Sequence, residues 1–251
     1  MLNYRRVGKG KTVVLQHGFV GGGGYFLPLS RYLSGTYDVI STDLPGFAGS
    51  SDVPAPDTIE GFASSLVDTL ENIGVTEFSL LGHSIGSMVS LQAALDYPDR
   101  VSRLILYGST PSGEIPERFE TFDESVRRIE FDGIDSTATR IAATWFVNGE
   151  EDPYYEFTRE AGAGANQDSA IRCLRSLSTW DVRSRLKNLD VPTLVICGDS
   201  DRNTHPDLSI ELWRHIQGSE LCILPGCAHI PHLELSEVFN RVIGRFLGKS
   251  P

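Results

Sequence analysis

Short apolar runs alternate with segments of helical periodicity along most of this chain, and this alternation constrains the fold more than any other feature. The six runs are nearly continuous, which is typical of strands buried on both faces of a parallel sheet. They lie at 13–16, 39–41, 78–81, 104–107, 193–197 and 221–224, with helical patterns between several of them at 58–73, 87–97 and 206–217. Strand–helix–strand alternation predicts an α/β fold with a mostly parallel, doubly wound sheet.

Two segments depart from this alternation. A further strand is expected at 2–7, and the Gly-Lys-Gly-Lys sequence at 8–11 predicts a hairpin turn between it and the next strand. Between 107 and 192 no convincing strand occurs, and helical patterns fill the segment at 122–131, 137–146, 153–162 and 166–178. A structureless loop of this length is uncommon in a compact domain. We therefore expect residues 1–110 and 190–251 to form an α/β core and residues 111–189 to form an inserted helical lid.

Charge and cysteine usage exclude several classes of protein. The net charge of −11 argues against a nucleic acid or an anionic membrane surface as partner. No run approaches the roughly 18 apolar residues of a membrane span, and the basic N-terminus lacks the apolar run of a signal peptide. The four cysteines form no Cys-x-x-Cys motif, so we expect reduced, mostly buried thiols and a cytoplasmic protein, with a Cys222–Cys227 bridge as the alternative. No pattern indicates an oligomeric state.

The sequence Gly-His-Ser-Ile-Gly at 82–86 lies where an apolar strand gives way to a helix. A sharp turn at this point forces its central residue into a sparsely allowed backbone conformation and exposes the side chain. Side chains at positions 82 and 86 would collide with the neighbouring strand and helix, which explains the two glycines. The pattern predicts a nucleophile elbow that presents Ser84.

A serine hydroxyl becomes a good nucleophile only when a base removes its proton, and a third group must orient that base. His229 follows the last predicted strand, and Asp201 follows the one before it. Catalytic groups of open α/β sheets gather beyond the carboxyl ends of the strands. Ser84, Asp201 and His229 are therefore the candidate catalytic residues. Asp199 remains an alternative to Asp201 and His232 an alternative to His229, while a His229–His232 metal pair lacks a third ligand cluster.

Acyl transfer also requires hydrogen-bond donors for the developing oxyanion. We expect one donor to be the backbone N–H of Ile85, at the start of the helix after Ser84. The other candidate is the N–H of Phe19, in the glycine-rich loop after the strand at 13–16, with His17 holding that loop in place. The four glycines at 21–24 do not fit a dinucleotide-binding pattern, because Phe26 stands where a third glycine is needed. The Gly-Lys-Thr sequence at 10–12 does not fit a P-loop, because Arg5 stands where the first glycine belongs and a strand follows rather than precedes it.

These motifs resemble the α/β-hydrolase family over nearly the whole chain. The matching segments are HGF at 17–19, DLPGFAGSS at 43–51, GHSIG at 82–86, GDSD at 198–201 and GCAHIPHLE at 226–234. The resemblance implies Ser84, Asp201 and His229 as the catalytic triad, Phe19 and Ile85 as oxyanion-hole residues, and no cofactor or metal. Members commonly begin with two antiparallel strands, whereas this chain has room for one.

Within that family, the serine nucleophile excludes branches that carry an aspartate at the elbow. The chain is similar to small esterases and 3-oxoadipate enol-lactonases, which implies a small-molecule ester or lactone as substrate. The glycine-rich loop also resembles that of meta-cleavage-product hydrolases, which cleave carbon–carbon bonds, although those often carry Asn where this chain has His83. A non-catalytic small-molecule receptor on the same fold is the alternative from another class.

The predicted lid should set specificity. Its aromatic side chains either form the lid's own small core or line an apolar acyl pocket together with Met88. Four arginines of the lid, Arg127, Arg128, Arg140 and Arg159, form a solvated face or meet a substrate carboxylate. The candidate pocket residues are Met88, Trp145, Phe146, Tyr154 and Trp180.

Overall fold

The computed structural model describes residues 1–248, in which seven strands form one sheet. The strands are β1 (Tyr4–Gly8), β2 (Thr12–Gln16), β3 (Asp38–Thr42), β4 (Phe78–His83), β5 (Val101–Tyr107), β6 (Thr193–Gly198) and β7 (Glu220–Leu224). Their order across the sheet is β1-β3-β2-β4-β5-β6-β7. β1 runs antiparallel to β3, and every other neighbouring pair is parallel. The predicted α/β class with a mostly parallel sheet is confirmed.

Ten α-helices connect and cover these strands. They are α1 (Leu27–Leu33), α2 (Ile59–Asn72), α3 (Ile85–Asp96), α4 (Phe122–Asp132), α5 (Ile134–Ala143), α6 (Tyr155–Ala161), α7 (Gln167–Ser178), α8 (Pro206–His215), α9 (Pro231–Glu234) and α10 (Ser236–Gly248). Side-chain caps define several helix starts: Thr58 accepts from the N–H of Gly61 before α2, and Thr121 and Glu124 form a reciprocal capping box at α4. No helix among residues 1–248 is long and apolar enough to cross a membrane.

Burial explains why the central strands read as continuous apolar runs. Every residue of β3, β4 and β6 is buried, because helices cover the sheet on both faces. The edge strands β1 and β7 are partly exposed. All four cysteines are free, and Cys173, Cys197 and Cys227 are buried, so the expected reduced thiols are what the structure contains.

The first strand corrects the sequence prediction. It spans Tyr4–Gly8 rather than 2–7, and it pairs with β3 rather than forming a hairpin with β2. The turn glycines Gly8 and Gly10 both have positive φ and pack closely against the backbone of residues 34–37, which lead into β3. β3 therefore lies between β1 and β2, in the place that the partner strand of a hairpin would take. A local turn signal does not specify which strand pairs with which.

Four helices, α4 to α7, lie between β5 and β6, where the sequence lacked strand patterns. The two ends of this helical insertion meet in an isolated antiparallel bridge between Ser112 and Asp181. The N–H of Gly113 also donates to the carbonyl of Trp180 at 2.7 Å. The insertion thus leaves and rejoins the core at one point, beside the carboxyl ends of the strands.

Candidate active site

Ser84 occupies the sharp turn between β4 and α3. Its backbone has φ 53° and ψ −125°, a conformation that non-glycine residues rarely adopt. A methyl group on Gly82 would press against the backbone of Gly86 and Ser87, and one on Gly86 would press against the carbonyl oxygen of Gln16. The two glycines are therefore required because strand, turn and helix approach one another too closely for side chains, as the sequence indicated.

Asp201 and His229 form a buried pair after the ends of β6 and β7. The Nδ1–H of His229 donates to Oδ2 of Asp201 at 2.7 Å, and the two side chains are 1% and 0% exposed. Asp201 is held in turn: its Oδ1 accepts from the N–H groups of Asn203 and Thr204 at 2.8 and 3.0 Å, and its Oδ2 accepts from the Thr204 hydroxyl at 3.0 Å. This arrangement holds the carboxylate in one orientation towards the imidazole.

The other ring nitrogen of His229, Nε2, is buried and has no hydrogen-bond partner among residues 1–248. Because Nδ1 carries the proton that Asp201 accepts, Nε2 has a free lone pair. Gly108 packs closely against the ring, since a methyl group there would lie 2.8 Å from Cε1. The backbone of His229 is held as well, because its N–H donates to the carbonyl of Trp145 at 2.9 Å. Such an imidazole is suited to accept a proton from a neighbouring hydroxyl.

Ser84 opens into a small cavity of about 40 Å³ between the sheet and the helical insertion. Phe19, Ile85 and Met88 contribute to its wall from the core, and α5 and α7 contribute apolar side chains from the other side. The complete lining is Phe19, Ser84, Ile85, Met88, Ile115, Arg118, Phe122, Ile141, Trp145, Leu174, Leu177, Asn203 and Thr204. The cavity is mostly apolar, with a few polar groups, as small-molecule sites generally are.

The glycine-rich loop after β2 lies directly beside Ser84. A methyl group on Gly18 would lie 3.0 Å from the Cβ of Ser84. His17 holds this loop: its Nδ1–H donates to the carbonyl of Gly18 at 2.7 Å, and its Nε2 accepts from the N–H of Leu44 at 2.8 Å. Ile85 is the first residue of α3, where a helix leaves its N–H groups without an intrahelical acceptor. The loop and the helix start thus bring backbone donors to one end of the cavity.

A chain of buried hydrogen bonds connects this loop to the His229 segment. The N–H of Gly18 donates to the hydroxyl of Tyr25 at 2.5 Å, and that hydroxyl donates to Nδ1 of His83 at 2.7 Å. His83 then donates from Nε2 to the carbonyl of His229 at 2.9 Å. Burial keeps both groups neutral, because it raises the pKa of Tyr25 well above its usual value and lowers that of His83 well below. His83 therefore lies behind Ser84, outside the cavity lining, and connects three segments of the site.

The structure separates the alternatives that the sequence left open. His232 is engaged at both ring nitrogens, since Nδ1 accepts from the Tyr107 hydroxyl at 2.8 Å and Nε2 donates to the carbonyl of Tyr25 at 3.2 Å. Burial lowers its pKa to about 3, so it is held as a neutral structural residue. Asp199 is exposed and accepts from Ser200 and from the N–H of Gly226. Neither residue takes the position that His229 and Asp201 occupy.

The predicted pocket residues divide into two groups. Met88 and Trp145 line the cavity, whereas Phe146, Tyr154 and Trp180 do not. Phe146 is fully buried among other residues, Tyr154 is 38% exposed, and the Trp180 indole donates to Oε1 of Gln92 at 2.8 Å. The structure thus brings two of the five residues to the cavity and places the other three outside its lining, because aromatic composition does not tell which way a side chain points.

Three residues of the site escaped sequence reasoning. Tyr25 carried no signal that would relate it to Gly18 or His83. Thr204 stands three residues after Asp201, a spacing at which a side-chain oxygen commonly caps a turn, so this contact could have been found. Arg118 lines the cavity, whereas none of the four lid arginines considered from the sequence does.

Comparisons with known proteins agree with this fold. The sequence model of the alpha/beta hydrolase fold matches residues 11–235. The 2-hydroxy-6-oxo-6-phenylhexa-2,4-dienoate hydrolase of Comamonas testosteroni is 25% identical over 98% of this chain and 91% of its own length. The pimeloyl-[acyl-carrier protein] methyl ester esterase of Nitrosospira multiformis is 27% identical over 96% and 95%. The enol-lactonase from Burkholderia xenovorans LB400 superposes with a TM-score of 0.91 over 99% and 96% of the two chains, at 21% identity, which is a likeness of fold.

Proposed function

The chain belongs to the alpha/beta hydrolase fold family, and from this premise we propose that it is a serine hydrolase that cleaves a small carboxylic ester or lactone. The observation that carries the proposal is the buried Asp201–His229 pair at 2.7 Å with an unpartnered His229 Nε2. Ser84 is presented on the strained turn beside it, and the ring of the preceding His83 lies 4.7 Å from the His229 ring.

The first half of the proposed reaction forms an acyl-enzyme. Ser84 Oγ attacks the carbonyl carbon while His229 Nε2 takes the hydroxyl proton. Asp201 keeps the imidazole oriented and stabilises the imidazolium that results. The N–H groups of Phe19 and Ile85 donate to the developing oxyanion, at the end of the cavity where the Gly18 loop meets α3. The intermediate collapses as the carbon–oxygen bond to the leaving group breaks, and His229 passes its proton to the departing alkoxide.

The second half releases the acid. A water molecule gives a proton to His229 Nε2 as its oxygen attacks the acyl carbon, and the bond to Ser84 Oγ breaks. His229 returns that proton to Ser84, so the enzyme ends as it began. The helical insertion acts as a lid in this proposal, since it supplies more than half of the cavity lining and so determines which acyl groups fit. The four free cysteines support a cytoplasmic location, where disulfides are rare.

Steady-state hydrolysis by the wild type and by Ser84→Ala tests the proposal. Short and medium p-nitrophenyl esters and several lactones form the panel, and we expect Ser84→Ala to reduce turnover by about 10⁴-fold or more. Ser136→Ala is the control, because Ser136 is exposed on α5 and should leave turnover unchanged. A Ser84→Ala enzyme with wild-type turnover would contradict the mechanism.

A second candidate function is carbon–carbon bond hydrolysis, which the match to the dienoate hydrolase favours. A meta-cleavage dienoate therefore joins the panel, and turnover of this substrate alone would select that function. If nothing is hydrolysed and a fluorophosphonate probe does not label Ser84, the triad is not assembled and a receptor role replaces both.

A further inference from the structure

Arg118 is the one charged residue among those that line the cavity of Ser84. It lies in the segment that leads from β5 into α4, at the start of the helical insertion. Its guanidinium carbon lies 4.6 Å from the ring centre of Phe119 and 4.8 Å from that of Phe122, so two aromatic faces hold the group. A cation is thus fixed in the same cavity as the proposed nucleophile.

Three of the five N–H groups of this guanidinium have no acceptor among residues 1–248. Nη1 donates to the carbonyl of Glu120 and, at 3.1 Å, to Oγ of Ser125. Nε and Nη2 donate to no acceptor among residues 1–248. These two nitrogens form the planar edge that binds both oxygens of a carboxylate in parallel.

The nearest carboxylate is already occupied by other cations. Glu120 pairs with Arg128 at 3.2 Å and with Arg140 at 2.8 Å, and it also accepts from Ser125 at 2.5 Å. Arg118 itself has no carboxylate within 4.0 Å in the part of the chain that the structure describes. The carboxylate of Glu120 is therefore already engaged by two other arginines and a serine, which leaves Arg118 without an ion-pair partner of its own among residues 1–248.

Burial lowers the pKa of Arg118 to about 10, because removing water disfavours its charged form more than Glu120 favours it. The group is still protonated at neutral pH. A partly buried, protonated guanidinium with unused N–H groups is stabilised when an anion binds to it.

We propose that Arg118 binds a carboxylate of the substrate, so that the preferred esters or lactones are those whose acyl part carries a negative charge. This inference rests on the proposed function, because it assigns the substrate class of the same site. The apolar walls around Met88, Ile141 and Leu177 would hold the carbon chain between the reacting carbonyl and the carboxylate.

Paired substrates of equal acyl length test the inference kinetically. The mono-p-nitrophenyl ester of glutaric acid carries a carboxylate, and p-nitrophenyl pentanoate has the same number of acyl carbons without it. We expect the wild type to prefer the anionic ester, and Arg118→Gln to reduce the ratio of the two kcat/KM values by about 10- to 100-fold, the effect of losing a charge-assisted hydrogen bond. The kcat/KM for the neutral ester should change less than about threefold, since that substrate makes no ionic contact with Arg118.

Two further variants separate binding from structure. Arg118→Lys keeps the charge without the planar fork and should restore part of the ratio. Arg127→Gln is the matched control, because Arg127 is an exposed arginine of α4 outside the cavity, and its ratio should equal that of the wild type. An unchanged ratio in Arg118→Gln, or an equal loss towards both esters, would overturn the inference and leave Arg118 a structural residue.

A binding experiment decides the inference even if the wild type hydrolyses neither of these two esters, and the proposed function is judged separately on the full panel of esters and lactones. Calorimetry on Ser84→Ala compares monomethyl glutarate with dimethyl glutarate. We expect the monoanion to bind more tightly, and Arg118→Gln in that background to weaken its binding by about 10- to 100-fold. Equal binding of the two esters, no detectable binding of the monoanion, or an effect of Arg118→Gln on neither ester would refute a carboxylate site.

Discussion

Replacing Tyr25 by phenylalanine removes a single hydroxyl from the interior and leaves two polar groups without partners. That hydroxyl accepts from the N–H of Gly18 at 2.5 Å and donates to Nδ1 of His83 at 2.7 Å. Tyr25 and His83 are both 0% exposed, so water does not take its place without rearrangement. The substitution changes the volume little, which isolates the hydrogen bonds from packing.

The magnitude follows from these two orphaned groups. Leaving a buried donor or acceptor unsatisfied costs about 1–3 kcal/mol, so Tyr25→Phe should lower the free energy of unfolding by about 2–6 kcal/mol. A domain of this kind has a total of about 5–15 kcal/mol. The turnover of a test ester should fall as well, because Gly18 belongs to the loop beside Ser84 and His83 supports the carbonyl of His229.

Urea unfolding followed by circular dichroism measures the effect. Tyr32→Phe is the control: Tyr32 is 49% exposed, and its loss of a hydroxyl should change the unfolding free energy by less than about 0.5 kcal/mol. If Tyr25→Phe unfolds at the same urea concentration as Tyr32→Phe, the chain of hydrogen bonds is not a significant source of stability, and the reasoning is refuted.

Two other perturbations test the surroundings of His229 and the buried histidines. Gly108→Ala should reduce turnover by about tenfold or more, because its methyl group would lie 2.8 Å from His229 Cε1. Gly74 is the control position: it has a similar positive φ and no neighbour within 4 Å, so Gly74→Ala should lower stability without changing turnover. Equal turnover in the two variants would contradict the argument. The pKa of His232 is about 6.5 in the unfolded chain and about 3 in the folded protein, so the unfolded state binds more protons at pH values between these two. The free energy of unfolding should therefore decrease as pH falls below 6.5, by up to about 1.4 kcal/mol per pH unit. Urea unfolding at pH about 7 and about 5.5 measures how the free energy of unfolding depends on pH. In His232→Gln the slope should be smaller by the amount that corresponds to about one bound proton, and an unchanged slope would show that His232 is not responsible.

Features that depend on a few adjacent residues were predictable from the sequence. The elbow at Ser84 requires Gly82 and Gly86 because turn geometry is local, and the strand ends before Asp201 and His229 follow from apolar runs that stop at polar residues. The helical patterns of the insertion likewise predicted α4, α5, α6 and α7 to within a few residues. In each case the period of burial, 3.6 residues for a helix or a continuous run for a covered strand, is written directly into the chain.

Features that depend on contacts between distant segments were not predictable in this way. The pairing of β1 with β3, the exclusion of Trp180 from the cavity and the meeting of Gly18, Tyr25 and His83 all join residues far apart in the sequence.

The sequence by itself determined the positions of the six apolar strands, the helices of the insertion, the strained turn at Ser84 and the residues that follow the strand ends, because these depend on local backbone geometry and on the periodicity of burial. Tertiary structure alone decided that His232 is engaged at both nitrogens while His229 keeps one free, and that Arg118 lies in the cavity while Arg127 remains exposed. The physical reason is that the direction of a side chain, and the partners that satisfy its polar atoms, are set by whatever other segments pack against it.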